Sequence, residues 1–210
     1  MTFCTITPTR GDRPQFLEFC KHQLSRMTVK PAQSYFIDHA PHGNDVDLIE
    51  RVREGIIRAK ADGFTKIFIV EEDDYYPANY FETMKLSDPV DFIGSLTTFY
   101  YNIFTKRYQL ISHSNRSSLF TTGFHYNAIE LFNWRRLKPT DIRLDIHLWD
   151  HARKFQRYFA PPSAVGIKHG LGKCAGAGHW KELKEHDPEM SWLRNHVDSE
   201  AFIFYQTLKK

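Results

Sequence analysis

The chain has 210 residues, of which 41% are hydrophobic and 25% charged, a composition typical of one soluble globular domain. It contains no run of about 18 apolar residues, and its N-terminus lacks a basic segment followed by an apolar stretch. We therefore predict neither a transmembrane helix nor a signal peptide. The formal charge of +3 permits an anionic substrate, including nucleic acid, without requiring one.

The first half of the chain alternates predicted strands and helices. Apolar and β-branched runs predict strands over residues 2–7, 34–37, 65–70 and 91–97. Helical spacing predicts one helix from Pro14 and a second from Asn44 to Gly63. The apolar face of the second helix comprises Val46, Ile49, Val52, Ile56 and Ile57. This alternation predicts an α/β fold with a mostly parallel central sheet flanked by helices.

The second half has a different character. Residues 99–104 and 107–111 flank Thr105-Lys106 as in a β-hairpin, and a further strand is predicted over 118–122. A helix follows through residues 131–132, and another is predicted over 145–159, before Pro161-Pro162. Residues 166–178 contain five of the 11 glycines, which predicts a long loop.

Three polar groups follow predicted strands of the first half. They are residues 7–10, Asp38 with His39, and residues 71–74. In open α/β sheets, ligands bind beyond the carboxyl ends of the strands. The sequence therefore predicts a binding site at that edge.

The acidic run Glu71, Glu72, Asp73 and Asp74 comes directly after an apolar strand. Carboxylates are the hard oxygen ligands that suit Mg²⁺ or Mn²⁺, and such an ion could neutralise a bound diphosphate. The alternative is a solvated acidic turn. Alternation along a strand would separate Glu71 and Asp73 from Glu72 and Asp74. We expect Asp73 first, and Asp74 next, to bind the ion.

The glycine-rich segment departs from a strict phosphate-binding loop, because Cys174 follows Lys173 where Ser or Thr is required. Its backbone N–H groups, with Lys168 and Lys173, could still fold over a diphosphate. His169 or His179 could add a nitrogen ligand to a metal. The alternative is a glycine-rich linker with surface histidines.

Asp145 lies near the start of a predicted helix. Such a residue can cap the helix and interact with its dipole, and physical arguments alone favour this role. It could instead act as a general base that faces the site.

Together these motifs resemble the GT-A-fold glycosyltransferases, a nucleotide-sugar-dependent class with an acidic metal-binding "DxD" motif. The resemblance covers most of residues 3–160 as spaced short motifs. The matching segments are residues 5–10, Asp38, residues 69–77, residues 91–94, residues 117–124 and Asp145. In one departure, Glu71 or Glu72 replaces the usual first Asp, which leaves the metal ligands and the ribose ligands open. In another, the segment with Lys168, His169 and His179 is more like metal-dependent members, some of them retaining, so the stereochemical outcome is also open.

The resemblance implies a metal-dependent hexosyl- or pentosyltransferase, with the donor bound by residues 1–97 and the acceptor by residues 98–210. A UDP-sugar is the expected donor and Mn²⁺ or Mg²⁺ the expected ion. The implied nucleotide-sugar ligands are Thr7, Pro8, Thr9, Arg10, Asp38, Glu72, Lys168 and Lys173. The implied metal ligands are Asp73, Asp74, His169 and His179. Asp145 would deprotonate the acceptor hydroxyl if the enzyme inverts.

The acceptor is open between a modified DNA base and a glycan or lipid-linked acceptor. With a modified DNA base as its acceptor, the chain would resemble the phage DNA-modifying glycosyltransferases. Basic residues that could follow a phosphate backbone are Arg107, Arg116, Arg135, Arg136, Arg143, Lys154 and Arg157. The sequence also leaves two other classes of protein open: a nucleotidyltransferase, and a non-catalytic nucleotide- or carbohydrate-binding module.

The cysteines indicate the cellular compartment. Cys4, Cys20 and Cys174 are odd in number, far apart and without the paired spacing of a structural zinc site. We therefore predict a cytoplasmic protein, in the host cytoplasm if it is phage-encoded. No obligate protein partner is evident from the sequence.

Overall fold

A computed structural model describes residues 2–39, 47–84, 90–138, 143–170 and 183–208. The strands are β1 (Cys4–Pro8), β2 (Gln33–Ile37), β3 (Lys66–Ile69), β4 (Phe92–Gly94), β5 (Thr97–Asn102), β6 (Arg107–Ser112), β7 (Gly123–His125), β8 (Arg157–Phe159), β9 (Val165–Lys168) and β10 (Glu185–His186). The helices are α1 (Pro14–Ser25), α2 (Leu48–Ala61), α3 (Tyr80–Thr83), α4 (Tyr126–Glu130), α5 (Leu144–Ala152), α6 (Ser191–His196) and α7 (Ser199–Thr207). Short 3₁₀ helices cover Leu119–Thr121 and Trp134–Arg136.

The central sheet is mostly parallel. Among the described residues it has six strands in the order β2-β1-β3-β7-β4-β8. β7 runs antiparallel to both of its neighbours, while the other pairs are parallel. A smaller sheet has the order β10-β6-β5-β9 and contains the predicted hairpin. The prediction of an α/β fold with a mostly parallel central sheet flanked by helices is therefore confirmed.

Side-chain alternation along β3 explains how helices cover both faces of the sheet. Ile67 and Ile69 belong to a core formed with α2, α4 and α5. Phe68 and Val70 belong to a second core, formed with α1 and α3. A strand buried on both faces is a continuous apolar run, which is why this strand was recognisable from the sequence. Among the described helices, none combines the length and apolar character needed to cross a membrane.

Several predictions in the second half were wrong. Residues 118–122 are not a strand, because Ser and Thr hydroxyls bond locally there: Thr122 Oγ1 donates to the Ser118 carbonyl at 2.8 Å. The strand begins at Gly123 instead. The helix predicted over 145–159 ends at Ala152, and residues 157–159 form β8, which pairs with β4.

The predicted loop over 166–178 was also partly wrong. It begins as β9, a buried strand that lies parallel to β5. Residues 171–182, with Lys173 and His179, lie outside the described residues, as do Asn44 and Val46. Ile57, predicted on the apolar face of α2, is 58% exposed because its position on the helix turns away from the sheet.

Candidate functional site

The structure contains the sheet edge at which the sequence predicted a binding site. β1, β2 and β3 are parallel neighbours, so their carboxyl ends lie together. Residues 7–10 span the end of β1, Asp38 directly follows β2, and residues 71–74 begin two positions after β3. The four acids lie in a turn beyond β3, since the Asp74 N–H donates to the Glu71 carbonyl at 3.4 Å. The alternation of side chains along a strand therefore does not determine which of the four acids lie together.

Buried contacts hold this acidic turn in place. The Tyr76 hydroxyl accepts a hydrogen bond from the Glu71 N–H at 2.9 Å and donates one to the Phe120 carbonyl at 3.1 Å. Gln23, on α1, donates to the Asp74 carbonyl and accepts from the Tyr76 N–H. A turn held by buried hydrogen bonds to α1 and to Phe120 can aim its carboxylates without help from a ligand.

The structure brings Glu71, Asp73 and Asp74 together. Within the described part of the chain, one carboxylate oxygen of each lies within 4.8 Å of the others. Asp74 is fully buried; its Oδ1 accepts from the Ile167 N–H at 2.7 Å, while its Oδ2 has no hydrogen-bond partner among the described residues. An unpaired buried carboxylate oxygen beside two further carboxylates is a donor set that fits a hard divalent cation.

Glu72 points to a different partner. Arg13 donates from Nη2 to Glu72 Oε1 at 2.7 Å and from Nη1 to Asp73 Oδ2 at 2.9 Å. Arg13 immediately precedes α1, whose first residue is Pro14. The sequence reasoning selected Arg10 and missed Arg13; the signal was the position of Arg13 directly before a helix that starts at the binding edge.

His169 and Lys168 approach the acids from the end of β9. The buried His169 ring lies with Nε2 at 2.7 Å from Asp73 Oδ2, and it packs 4.3 Å from the Phe16 ring. The Lys168 ammonium lies 5.0 Å from the centre of the Tyr100 ring. Burial lowers the pKa of Lys168, but the nearby carboxylates, Asp74 first, outweigh it and leave that pKa above its ordinary value.

Burial and the neighbouring charges shift the pKa values of the clustered acids in different directions. Burial, reinforced by Asp73, raises the pKa of Glu71 to about 7. Burial also raises the pKa of Asp74 well above its usual range. Burial acts on Asp73 too, but Arg13 and His169 outweigh it and hold the pKa of that carboxyl below its ordinary value. When all four acids are ionised they outnumber the two permanent cations described in this cluster, Arg13 and Lys168, by two charges, and a bound divalent cation would balance that difference.

The remaining nucleoside-side residues are placed as follows. Thr7 and Thr9 are buried, Pro8 is half-buried, and Asp38 is exposed beyond the end of β2. Arg10 forms ion pairs with Asp47 at 3.3 Å and Asp12 at 3.6 Å. The buried guanidinium of Arg51 donates to the carbonyls of Thr9 at 2.6 Å and Ile37 at 2.8 Å. Arg51 therefore ties the ends of β1 and β2 together.

Asp145 lies in the first turn of α5, after the capping position Arg143. Its carboxylate accepts from the Arg116 guanidinium. Burial raises the pKa of Asp145, and Arg116 partly opposes this effect. The charge of Asp145 also contributes to the raised pKa of Glu71, so the two acids lie close enough to influence each other.

Comparisons with known proteins give structural similarity only. No model of a known protein family and no curated protein sequence matches the chain. A197 from STIV is similar at 14% identity, over 78% of this chain and 83% of that chain, with a TM-score of 0.48. A glycosyltransferase involved in the glycosylation of the major capsid of PBCV-1 is similar at 14% identity, over 62% of this chain and 63% of that one, with a TM-score of 0.39. At these identities and scores, the similarities do not define a function for this chain.

Proposed function

We propose that the chain transfers a sugar from a nucleoside-diphosphate sugar to an acceptor hydroxyl with the help of Mn²⁺ or Mg²⁺. The observation that carries this proposal is the convergence of Glu71, Asp73 and Asp74 at the carboxyl edge of the parallel strands. This edge is where α/β folds bind nucleotides, and the fully buried Asp74 Oδ2, which accepts no hydrogen bond from the described residues, can bind a cation.

The donor side is built from residues at three strand ends. The turn at residues 7–10 and Asp38 would hold the nucleoside, with a UDP-sugar as the expected donor. Asp73, Asp74 and Glu71 would hold the ion, which when bound supplies charge stabilisation to the departing nucleoside diphosphate. Lys168 lies at the same cluster and would bind the diphosphate oxygens. Roles for Lys173 and His179 in closing over the donor are part of this proposal.

The acceptor side is built around Asp145. A carboxylate with a raised pKa accepts a proton from an acceptor hydroxyl more readily than an ordinary one. Arg116 would orient it and partly opposes the rise of its pKa. This role applies if the anomeric configuration inverts. If the configuration is retained, no general base is required at this position and Asp145 would only orient the acceptor.

Asp73→Asn tests the proposal because it removes one charge and keeps the side-chain volume. We expect it to abolish Mn²⁺-dependent binding of nucleotide sugar and to lower turnover by about 100-fold or more. The measurements are a thermal-shift screen of nucleotide sugars with and without Mn²⁺, and an assay for released nucleoside diphosphate. Glu50→Gln is the matched control, since Glu50 is an exposed acid on α2.

The outcomes separate the classes of protein. Unchanged metal-dependent donor binding in Asp73→Asn would contradict the proposed ion site. Donor binding without release of nucleoside diphosphate, in the presence of candidate acceptors, would indicate a non-catalytic binding module. Release of pyrophosphate from a nucleoside triphosphate would indicate a nucleotidyltransferase.

A further inference from the structure

Two depressions adjoin each other along α5. The larger, of about 390 Å³, lies between α5 and residues 132–137. The smaller, of about 280 Å³, lies between α5 and residues 112–116. Both are lined by Asp150 and Arg153, so the two are neighbours on one surface. We call this surface the α5 groove.

The α5 groove is cationic. Its described lining includes four basic side chains, Arg116, Arg136, Arg153 and Lys154, against one acid, Asp150. Arg116 pairs with Asp145, and Arg153 pairs with Asp150 at 3.1 Å. The positive charge that these pairs leave is that of Arg136 and Lys154, which form no ion pair with the described residues and both line the larger depression. Positive charge placed in this way raises the local concentration of an anionic ligand.

The groove lies beside the candidate base. Arg116 lines the smaller depression and donates to the Asp145 carboxylate. A ligand that follows the groove would therefore pass next to Asp145. This position suits the acceptor rather than the donor, whose expected site is at residues 71–74.

The shape and lining distinguish between anionic ligands. An extended strand can follow both adjoining depressions, whereas a planar anionic surface contacts only the exposed ends of Arg136, Arg153 and Lys154. The lining also provides neutral hydrogen-bonding groups, among them Ser114, Asn115 and Asn133, which suit sugar and base edges. A neutral glycan would gain nothing from the four basic side chains. The distribution of charge thus favours a chain of phosphodiesters.

We propose that the α5 groove binds the phosphodiester backbone of a nucleic-acid acceptor, an inference that rests on the proposed glycosyl transfer. Phosphate contacts by Arg and Lys position a strand without reading its sequence, which leaves the modified hydroxyl to be selected beside Asp145. Among the basic residues singled out from the sequence, Arg116, Arg136 and Lys154 line this groove. Arg107 instead donates to the carbonyls of Leu183 and Lys184.

The test is the affinity of the full chain for a short fluorescent single-stranded oligodeoxynucleotide, measured by anisotropy over a range of salt concentrations. We expect binding that weakens steeply with salt. The double variant Arg136→Gln, Lys154→Gln should bind about tenfold more weakly, and its slope of log K against log salt should be shallower by about 1.4, the value for two lost phosphate contacts on a single strand. The matched control is Arg53→Gln, Arg58→Gln, which removes the same charge from exposed positions on α2.

Three results would overturn the inference: no binding at low salt, equal weakening in both double variants, or binding to anionic phospholipid vesicles in place of the oligonucleotide. Donor binding measured in parallel keeps the two proposals separate. Loss of oligonucleotide binding with intact Mn²⁺-dependent donor binding would refute only the acceptor class. Oligonucleotide binding that depends on the groove, without any nucleotide-sugar binding, would refute the proposed transfer while the groove would still be a nucleic-acid site.

Discussion

Arg51 holds the nucleoside side of the candidate site together, and its replacement by methionine is a severe test of that role. The guanidinium, 1% exposed, donates to the carbonyls of Thr9, Ile37 and His39 and to Asp47 Oδ2, at 2.6–2.8 Å. These acceptors lie at or just after the ends of β1 and β2, or directly before α2. Methionine retains the apolar stem of the side chain and removes all four hydrogen bonds.

The magnitude follows from what Arg51→Met leaves behind. Asp47 is 6% exposed, so the variant leaves a buried carboxylate without its main partner, together with carbonyls that have lost a donor. Removing one member of a buried ion pair costs about 3–5 kcal/mol. For a domain of this size, that loss corresponds to a fall in Tm of roughly 6–20 °C. Donor affinity should fall as well, because the turn at residues 7–10 loses its anchor.

Urea unfolding followed by tryptophan fluorescence measures the change. Arg53→Met, at an exposed position on the same helix, is the control and should change stability by less than about 0.5 kcal/mol. Asp47→Leu added to Arg51→Met should recover part of the loss, because it removes the unpaired charge. A fall of less than about 1 kcal/mol in the free energy of unfolding of Arg51→Met would refute the reasoning, since breaking a buried ion pair destabilises a protein by more than that.

Two further predictions concern protonation. The raised pKa of Glu71, about 7 against an ordinary 4.5, means that the folded protein binds this proton more tightly than the unfolded chain, so in metal-free protein this contribution to stability declines as pH rises from 4.5 to 7. Mn²⁺ affinity should rise over the same range as Glu71 ionises, and titration calorimetry at several pH values should show a flatter dependence in Glu71→Gln. Arg116→Met should move the acidic limb of the kcat/KM profile to higher pH, because the Asp145 carboxylate loses the cation that opposes its burial. A limb that stays in place would show that Asp145 does not control the rate.

The elements that could be predicted are those with a clear local pattern. Pro14 marked the start of α1, and the run at residues 65–70 marked β3, because burial on both faces leaves a continuous apolar segment. The errors occur where contacts with residues distant in the chain determine the secondary structure. Residues 157–159 form a strand because β4 offers its edge there, and the ring of Phe159 stacks on Trp149 at 5.1 Å. Nothing local in those three residues indicates this pairing.

The candidate site, too, was predictable from the sequence only in part. The amino-acid sequence was sufficient to place carboxylates after β3, because hydrophobic periodicity and strand ends are properties of adjacent residues. The three-dimensional packing was needed to show that Glu71, Asp73 and Asp74 converge while Glu72 turns to Arg13. Asp73 contacts partners 60 and 96 positions away in the chain. Such contacts depend on how strands are ordered in the sheet, and no pattern of neighbouring residues contains that information.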